Sequence, residues 1–401
     1  MPAPAASSRL IRNEREQNGT RQGQSTTARG GSWLVPMARD GAEAAVGKVT
    51  CAAWIRRRSD EGMGPRLLVA FGRGATASSP PLLDLLAFDA KASALDSEEP
   101  LARVVMGEEG ADAARAISVH PGGRELVCAT AKGCRLYKIV YQEFGFRLIS
   151  TGASALESVG PQKCLAFSTD GVKFAIGGED GRLRVFHWPT LNVILDEPKA
   201  HKSFFDMDIS LDSEFLVSTS TDGSARIWNI VEGAPLVNLT RSSYEKIEHC
   251  RFSRDGTKPF LFCTLVKGEG VLTMVLDISN WKRIGYKRLS AKPVSTLSIS
   301  LDGKYLALGN GDGDFCVVDV KKMEISHRSQ KVHLGSPISS IEFCPTERVV
   351  ISTSHKWGAE ITKLDVPADW KVWQLWLVLA ILFVASAVLF YMFFKYAKLN
   401  L

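Results

Sequence analysis

A unit of three short strand-like runs separated by two tight turns recurs along the middle of the chain. No other feature restricts the fold as much. One copy covers residues 165–186, the next 207–228 and a later one 297–318. The first turn falls at Asp170, Asp212, Asp255 and Asp302, at spacings of 42, 43 and 47 residues. The second falls at Asp180-Gly181, Asp222-Gly223 and Asp312-Gly313. Asp-Gly suits such turns because Gly takes a positive φ without steric cost and Asp bonds its own backbone.

A period near 40–45 residues with four strands per unit predicts an all-β fold, a WD-repeat-like β-propeller. Weaker copies extend in both directions, one with His120-Pro121-Gly122-Gly123 as its turn. They give seven units at 50–89, 116–140, 164–188, 206–230, 249–278, 295–320 and 338–366. Closing seven blades into a ring removes the open sheet edges that would otherwise aggregate. The unit ending at Trp228 resembles the WD repeat most closely. His201 lies 27 residues before that tryptophan, where such repeats place a Gly-His pair. The resemblance implies a hydrogen-bonded set of His201, Ser218 or Thr219, Asp222 and Trp228 that locks one blade. The competing reading is a catalytic His/Asp pair.

Near the C-terminus the pattern changes. Residues 375–394 are uncharged and apolar. As a helix they span about 30 Å, the thickness of a bilayer core. Trp370, Trp373 and Trp376 crowd one end, Tyr391 and Tyr396 the other, and Lys371, Lys395 and Lys398 flank the run. A single transmembrane anchor bounded by Leu375 and Phe394 is predicted. The expected organisation is a disordered extension over 1–46, the propeller over 47–368, the anchor over 369–395 and a lumenal tail over 396–401. With no apolar segment of signal-peptide length near the N-terminus, the propeller is expected to face the cytosol.

Charge is concentrated at the ends. Residues 1–36 carry five Arg and two Glu, and residues 371–401 three Lys and no acid; with a total of +6, the body between is neutral. That excludes the basic face a nucleic-acid binder needs. The stretch Arg56-Arg57-Arg58 reads as a solvated strand end. The eight Cys include no CxxC pair and no zinc spacing, so they read as reduced core thiols, with no metal site and no cofactor. There is no phosphate-cradling loop, nucleophile elbow or HExxH. No two carboxylates are placed in one cleft. An interaction platform is expected rather than an enzyme.

A propeller followed at once by one transmembrane helix resembles the family of endoplasmic-reticulum exchange factors that load the small GTPase initiating COPII coats. Residues 193–203 (VILDEPKAHKS), 211–215 (LDSEF), 220–228 (STDGSARIW) and 254–263 (RDGTKPFLFC) resemble its plant branch. The likeness covers about residues 47–395. Within that branch it points to members that help phosphate transporters leave the endoplasmic reticulum. The implied partners are phosphate transporters as cargo, the COPII GTPase or coat components, and the membrane of that organelle. Active members carry a glycine run and an Asn-Gly-aliphatic-x-Asn stretch in the first blade, which binds potassium through backbone oxygens and enters the GTPase. The matching stretch here is 71–84 (FGRGATASSPPLLD), with Gly72, Arg73, Gly74, Ser78, Ser79 and Pro80 as the degenerate partner-binding loop. It has two glycines, no asparagine, and adjacent prolines that fix φ and remove donors. The expectation is therefore a trafficking factor without exchange activity. The alternatives are a true exchange factor and a generic scaffold.

Overall fold

The computed structural model describes residues 32–34, 47–57, 67–142, 145–242, 244–268, 270–366 and 372–399. Seven antiparallel sheets follow one another along the chain. Blade 1 is built on Val49–Arg56, Leu67–Arg73 and Leu82–Asp89. Two short outer strands, Ala94–Leu95 and Ala102–Val105, pair with its third strand. Blades 2 to 6 begin at Ala116, Gln162, Phe204, Glu245 and Val294, each with four strands in chain order. Blade 7 takes Ser340–Phe343, Val349–Ser354 and Gly358–Lys363 from the end of the propeller.

Its fourth strand comes from the start of the chain. Ser32–Leu34 pairs antiparallel with the third strand of blade 7, Ser32 opposite Thr362 and Leu34 opposite Glu360. This corrects the expectation of disorder through residue 46. The outer edge of blade 7 would present unpaired amides and carbonyls, and an extended segment of any sequence can cover it. Only three residues are needed, too few to show a periodic pattern. The other residues of the extension lie outside the described ones.

Hydrophobic clusters join every pair of neighbouring blades. Between blades 3 and 4, for example, Leu183, Val185 and Leu195 meet Phe204, Met207 and Trp228. Between blades 7 and 1, Ile351 and Ile361 meet Val69 and Phe71. Trp54 reinforces that closure, because its indole N–H donates to the Glu342 carbonyl at 3.3 Å. All eight cysteines are buried free thiols. Arg57 corrects the reading of a solvated strand end: it is buried, with its guanidinium 5.0 Å from the Tyr141 ring centre and 4.9 Å from that of Phe146.

The two turn types define two faces. The first turns lie on the lower face, where in blades 3, 4 and 6 a serine hydroxyl closes the loop. Ser168 Oγ meets Asp170 at 2.5 Å and accepts from Lys173 N at 2.8 Å. Ser210 with Asp212 and Ser300 with Asp302 repeat the device. The second turns lie on the upper face. At Gly181 (φ +75°) and Gly313 (φ +84°) a Cβ would collide with the carbonyls of His201 and His333, so glycine is required by packing as well as by backbone.

The C-terminal helix runs Val372–Leu399, 28 residues. It continues past the expected anchor boundary at 395 by one turn. No residue in the apolar window 376–393 is buried against the protein. Leu375 and Phe394 fall within the helix, with their side chains outside the described residues.

Candidate functional site: the first-blade loop, the blade lock and the central channel

The loop expected to bind a partner is a hairpin connection on the upper face. Gly72 and Arg73 belong to its strands, paired with Leu83 and Leu82, so the free loop is only residues 74–81. Gly72 is buried; a Cβ there would meet Cys51 Sγ at 2.7 Å and Ala114 Cβ at 2.8 Å. It serves close packing between blades 1 and 2. Arg73 stands at the base of the loop and is engaged within blade 1. Its Nε donates to Asp84 Oδ2 at 2.7 Å, and its Nη1 to the Gly47 carbonyl at 3.3 Å. Arg103 takes the other carboxylate oxygen, Nε to Oδ1 at 2.6 Å. Asp84 is 1 % exposed, so this is an internal clamp across blade 1.

The exposed tip, residues 75–78, folds on itself. Thr76 N donates to the Ser79 carbonyl at 2.8 Å, and Thr76 Oγ1 accepts from Ser79 N at 3.0 Å and Ser78 N at 3.3 Å. The Pro80 carbonyl accepts from Ser79 Oγ at 3.2 Å, and the Pro81 carbonyl from Met106 N at 2.9 Å. Three successive carbonyls thus serve the loop and the blade. Each is engaged by a donor of the protein, which does not suit a backbone cage of free carbonyls around potassium.

In blade 4, His201 Nε2 lies 2.7 Å from Ser218 Oγ, which also accepts from Trp228 Nε1 at 2.8 Å. Asp222 does not bond His201 itself. Its Oδ1 accepts from Ser224 N at 2.9 Å, and Ser224 Oγ stands 3.4 Å from His201 Nδ1. Thr219 turns elsewhere, donating to the Glu248 carbonyl at 2.6 Å. Burial, aided by Arg226, pushes the His201 imidazole down to about 4 despite the opposing Asp222 charge. A half-buried imidazole held neutral near pH 7 and linked to tryptophan through the Ser218 hydroxyl is suited to locking a blade. Blade 7 holds a partial copy that the sequence reading missed. His333 Nε2 lies 2.9 Å from Ser352 Oγ, and burial pushes His333 down to about 4 as well. Val332-His333 before the blade was the available signal, but no tryptophan follows at the matching place.

The innermost strands enclose a channel of about 960 Å³. It gathers Asp206, Asp208 and Glu342, carboxylates that the sequence alone did not bring together. Arg251 Nη1 donates to Asp206 Oδ2 at 2.6 Å, and Arg254 Nη2 to Asp208 Oδ1 at 2.6 Å. Burial opposes the Asp206 charge, yet Arg251 and His249 overcome it and hold the carboxyl below its usual range. Glu342 makes no ion pair among the described residues: burial pushes it up to about 7, only partly offset by the Trp54 amide and the more distant Arg251 charge. Two of the three carboxylates are thereby tied into ion pairs between blades 4 and 5, which suits a structural lining. Among the described residues, no group of His, Cys, Asp and Glu could hold a metal.

The "WD domain, G-beta repeat" family model matches residues 157–187 and 193–229, which fall on blades 3 and 4. "SEC12-like protein 1" of Arabidopsis thaliana is 51% identical over 350 residues, 87% of each chain. "SEC12-like protein 2" of the same plant is 31% identical over 280 residues, 68% of this chain and 70% of that one. "Guanine nucleotide-exchange factor SEC12" of Rattus norvegicus is 25% identical over 203 residues, 46% of this chain and 47% of its own.

Proposed function

Because the chain belongs to the SEC12-like family, we propose that it is a tail-anchored protein of the endoplasmic reticulum that promotes the exit of membrane cargo, phosphate transporters in particular, without loading nucleotide onto a GTPase. The carrying observation is the first-blade hairpin. Arg73 is held by Asp84, and the tip is closed by Thr76 and Ser79. An exchange loop must enter the nucleotide site and displace its contacts, which calls for free donors and an open, glycine-rich backbone. In this hairpin the Thr76, Ser78 and Ser79 amides are taken up within the loop, and only Gly72 and Gly74 supply glycine. Its remaining surface, with the exposed side chains of Phe205, Tyr244 and Trp357 on the same upper face, can still hold a partner through shape and aromatic contact.

The apolar helix and the kinship support the membrane setting, with the propeller in the cytosol. The cargo assignment rests on the likeness of 193–203, 211–215, 220–228 and 254–263 to the plant branch. Its test is the location of tagged phosphate transporters in cells lacking this protein. Retention in the endoplasmic reticulum is expected; normal delivery, with no relative to substitute, rejects the cargo role.

A second reading, exchange on the GTPase that initiates COPII coats, is favoured by the similarity to the rat exchange factor. It requires the hairpin to open, with the Thr76–Ser79 bonds broken.

A further inference from the structure

The lower face is tied to the helix by a very short piece of chain. The third strand of blade 7, Gly358–Lys363, runs from the upper-face turn at Trp357 down to the lower face. There Leu364 N bonds the Arg348 carbonyl at 2.8 Å, beside the first turn of that blade. Val366 is the last propeller residue described, and the helix begins at Val372. Six chain steps reach at most about 20 Å. If the helix spans a bilayer, the lower face cannot stand far from its surface, and the upper face with the first-blade hairpin points away.

The lower face carries side chains suited to that neighbour. Leu301, at the tip of the first turn of blade 6, is 53 % exposed although the turn needs no apolar residue there. In the same blade Lys304 and, at the lower outer turn, Lys321 and Lys322 are exposed. The acids beside them are partly engaged by local turns: Asp302 Oδ1 accepts from Ser300 Oγ at 2.6 Å and Lys304 N at 3.1 Å while its Oδ2 lies 3.8 Å from the Lys304 ammonium, and Asp319 Oδ1 accepts from Lys322 N at 2.9 Å. Blade 6 neighbours the blade from which the chain departs. Leucine methyls entering the headgroup layer, with lysine ammonium groups at phosphate level, is the arrangement an interfacial contact uses.

We propose that the lower face of blade 6, through Leu301 and the lysines at 321 and 322, seats on the phospholipid surface from which the C-terminal helix rises. The contact fixes the propeller's orientation, so that the first-blade hairpin and Tyr244 face outward. It rests on the membrane-anchor reading of the helix.

The buried state of all eight native cysteines permits selective labelling of an added surface cysteine. The full chain is reconstituted into phosphatidylcholine vesicles as Leu301→Cys, Lys322→Cys or Tyr244→Cys, each carrying an environment-sensitive fluorophore. Lipids with a nitroxide on the headgroup serve as the quencher. Quenching several-fold greater at 301 and 322 than at 244 is expected. Equal quenching at the three sites, or greater quenching at 244, overturns the seating. Alkaline carbonate extraction of the same vesicles tests the anchor separately, since release of the protein would mean that the helix does not span.

Discussion

Arg73 and Asp84 face each other across the first-blade hairpin at 2.7 Å, and this contact ties the hairpin's one arginine to the interior of blade 1. The carboxylate is 1 % exposed and is shared with Arg103. Asp84→Ala would leave two guanidinium groups without their counter-charge. Breaking a buried pair costs about 3–5 kcal/mol. The loss here should fall near the low end, because Arg103 is partly solvated. Chemical denaturation of the variant checks this, and an unchanged midpoint would show that the clamp contributes nothing to stability.

Trp228 is the largest fully buried side chain. Trp228→Ala should cost about 3–5 kcal/mol through the cavity it leaves, and it strands Ser218 Oγ with His201 as its remaining partner. His201→Ala should cost less, about 1–3 kcal/mol, from the lost hydrogen bond and an unsatisfied hydroxyl. Thermal melts of both variants read these effects. If both melt with the native protein, the blade-4 lock has no energetic meaning.

Acid should weaken the fold in a defined window. His201 and His333 are both held neutral, with folded values of about 4 against the ordinary 6.5. Between those limits the unfolded chain binds more protons, so stability rises with pH. It is complete above the unfolded value and is lost as pH falls from 6.5 toward 4. Each imidazole accounts for about 1–3 kcal/mol of that loss. Denaturation midpoints measured from pH 7.5 to 4.5 should fall in this range, and His333→Gln should flatten the slope.

The ring is closed by residues that a repeat search passes over. Removing residues 1–34 deletes the outer strand of blade 7 and exposes the edge of Gly358–Lys363. A lower melting temperature and a tendency to associate through that edge are expected. Removing residues 1–31 spares the strand and should leave melting unchanged. Equal behaviour of the two truncations would count against closure by this strand.

These cases show what the sequence exposes. Blades 3, 4 and 6 were the most legible because they repeat the same turn chemistry, serine with aspartate below and Asp-Gly above, and turns are local. The helix was legible because an uncharged run of that length has few alternatives. Ser32–Leu34 was not, since its role depends on an edge formed more than 300 residues later. Arg73 read as a loop residue because its partners, Asp84 and Arg103, become neighbours only once the blade folds. Of the channel carboxylates, Asp206 and Asp208 share the innermost strand of blade 4, but Glu342 stands on that of blade 7, and nothing local announces its meeting with them. In the blade-4 set, spacing named His201 and Trp228 but left Ser218 and Thr219 equivalent; alternation of strand faces decides between them.

Nucleotide release from the small GTPase that initiates COPII coats tests the central claim most directly. The full chain, reconstituted in vesicles, is mixed with that GTPase carrying a fluorescent guanine nucleotide, with potassium or sodium as the only monovalent cation. Because the Thr76–Ser79 turn closes the hairpin and Arg73 is held by Asp84, release should proceed at the spontaneous rate in both salts. A potassium-dependent acceleration would contradict this account and establish the protein as an exchange factor.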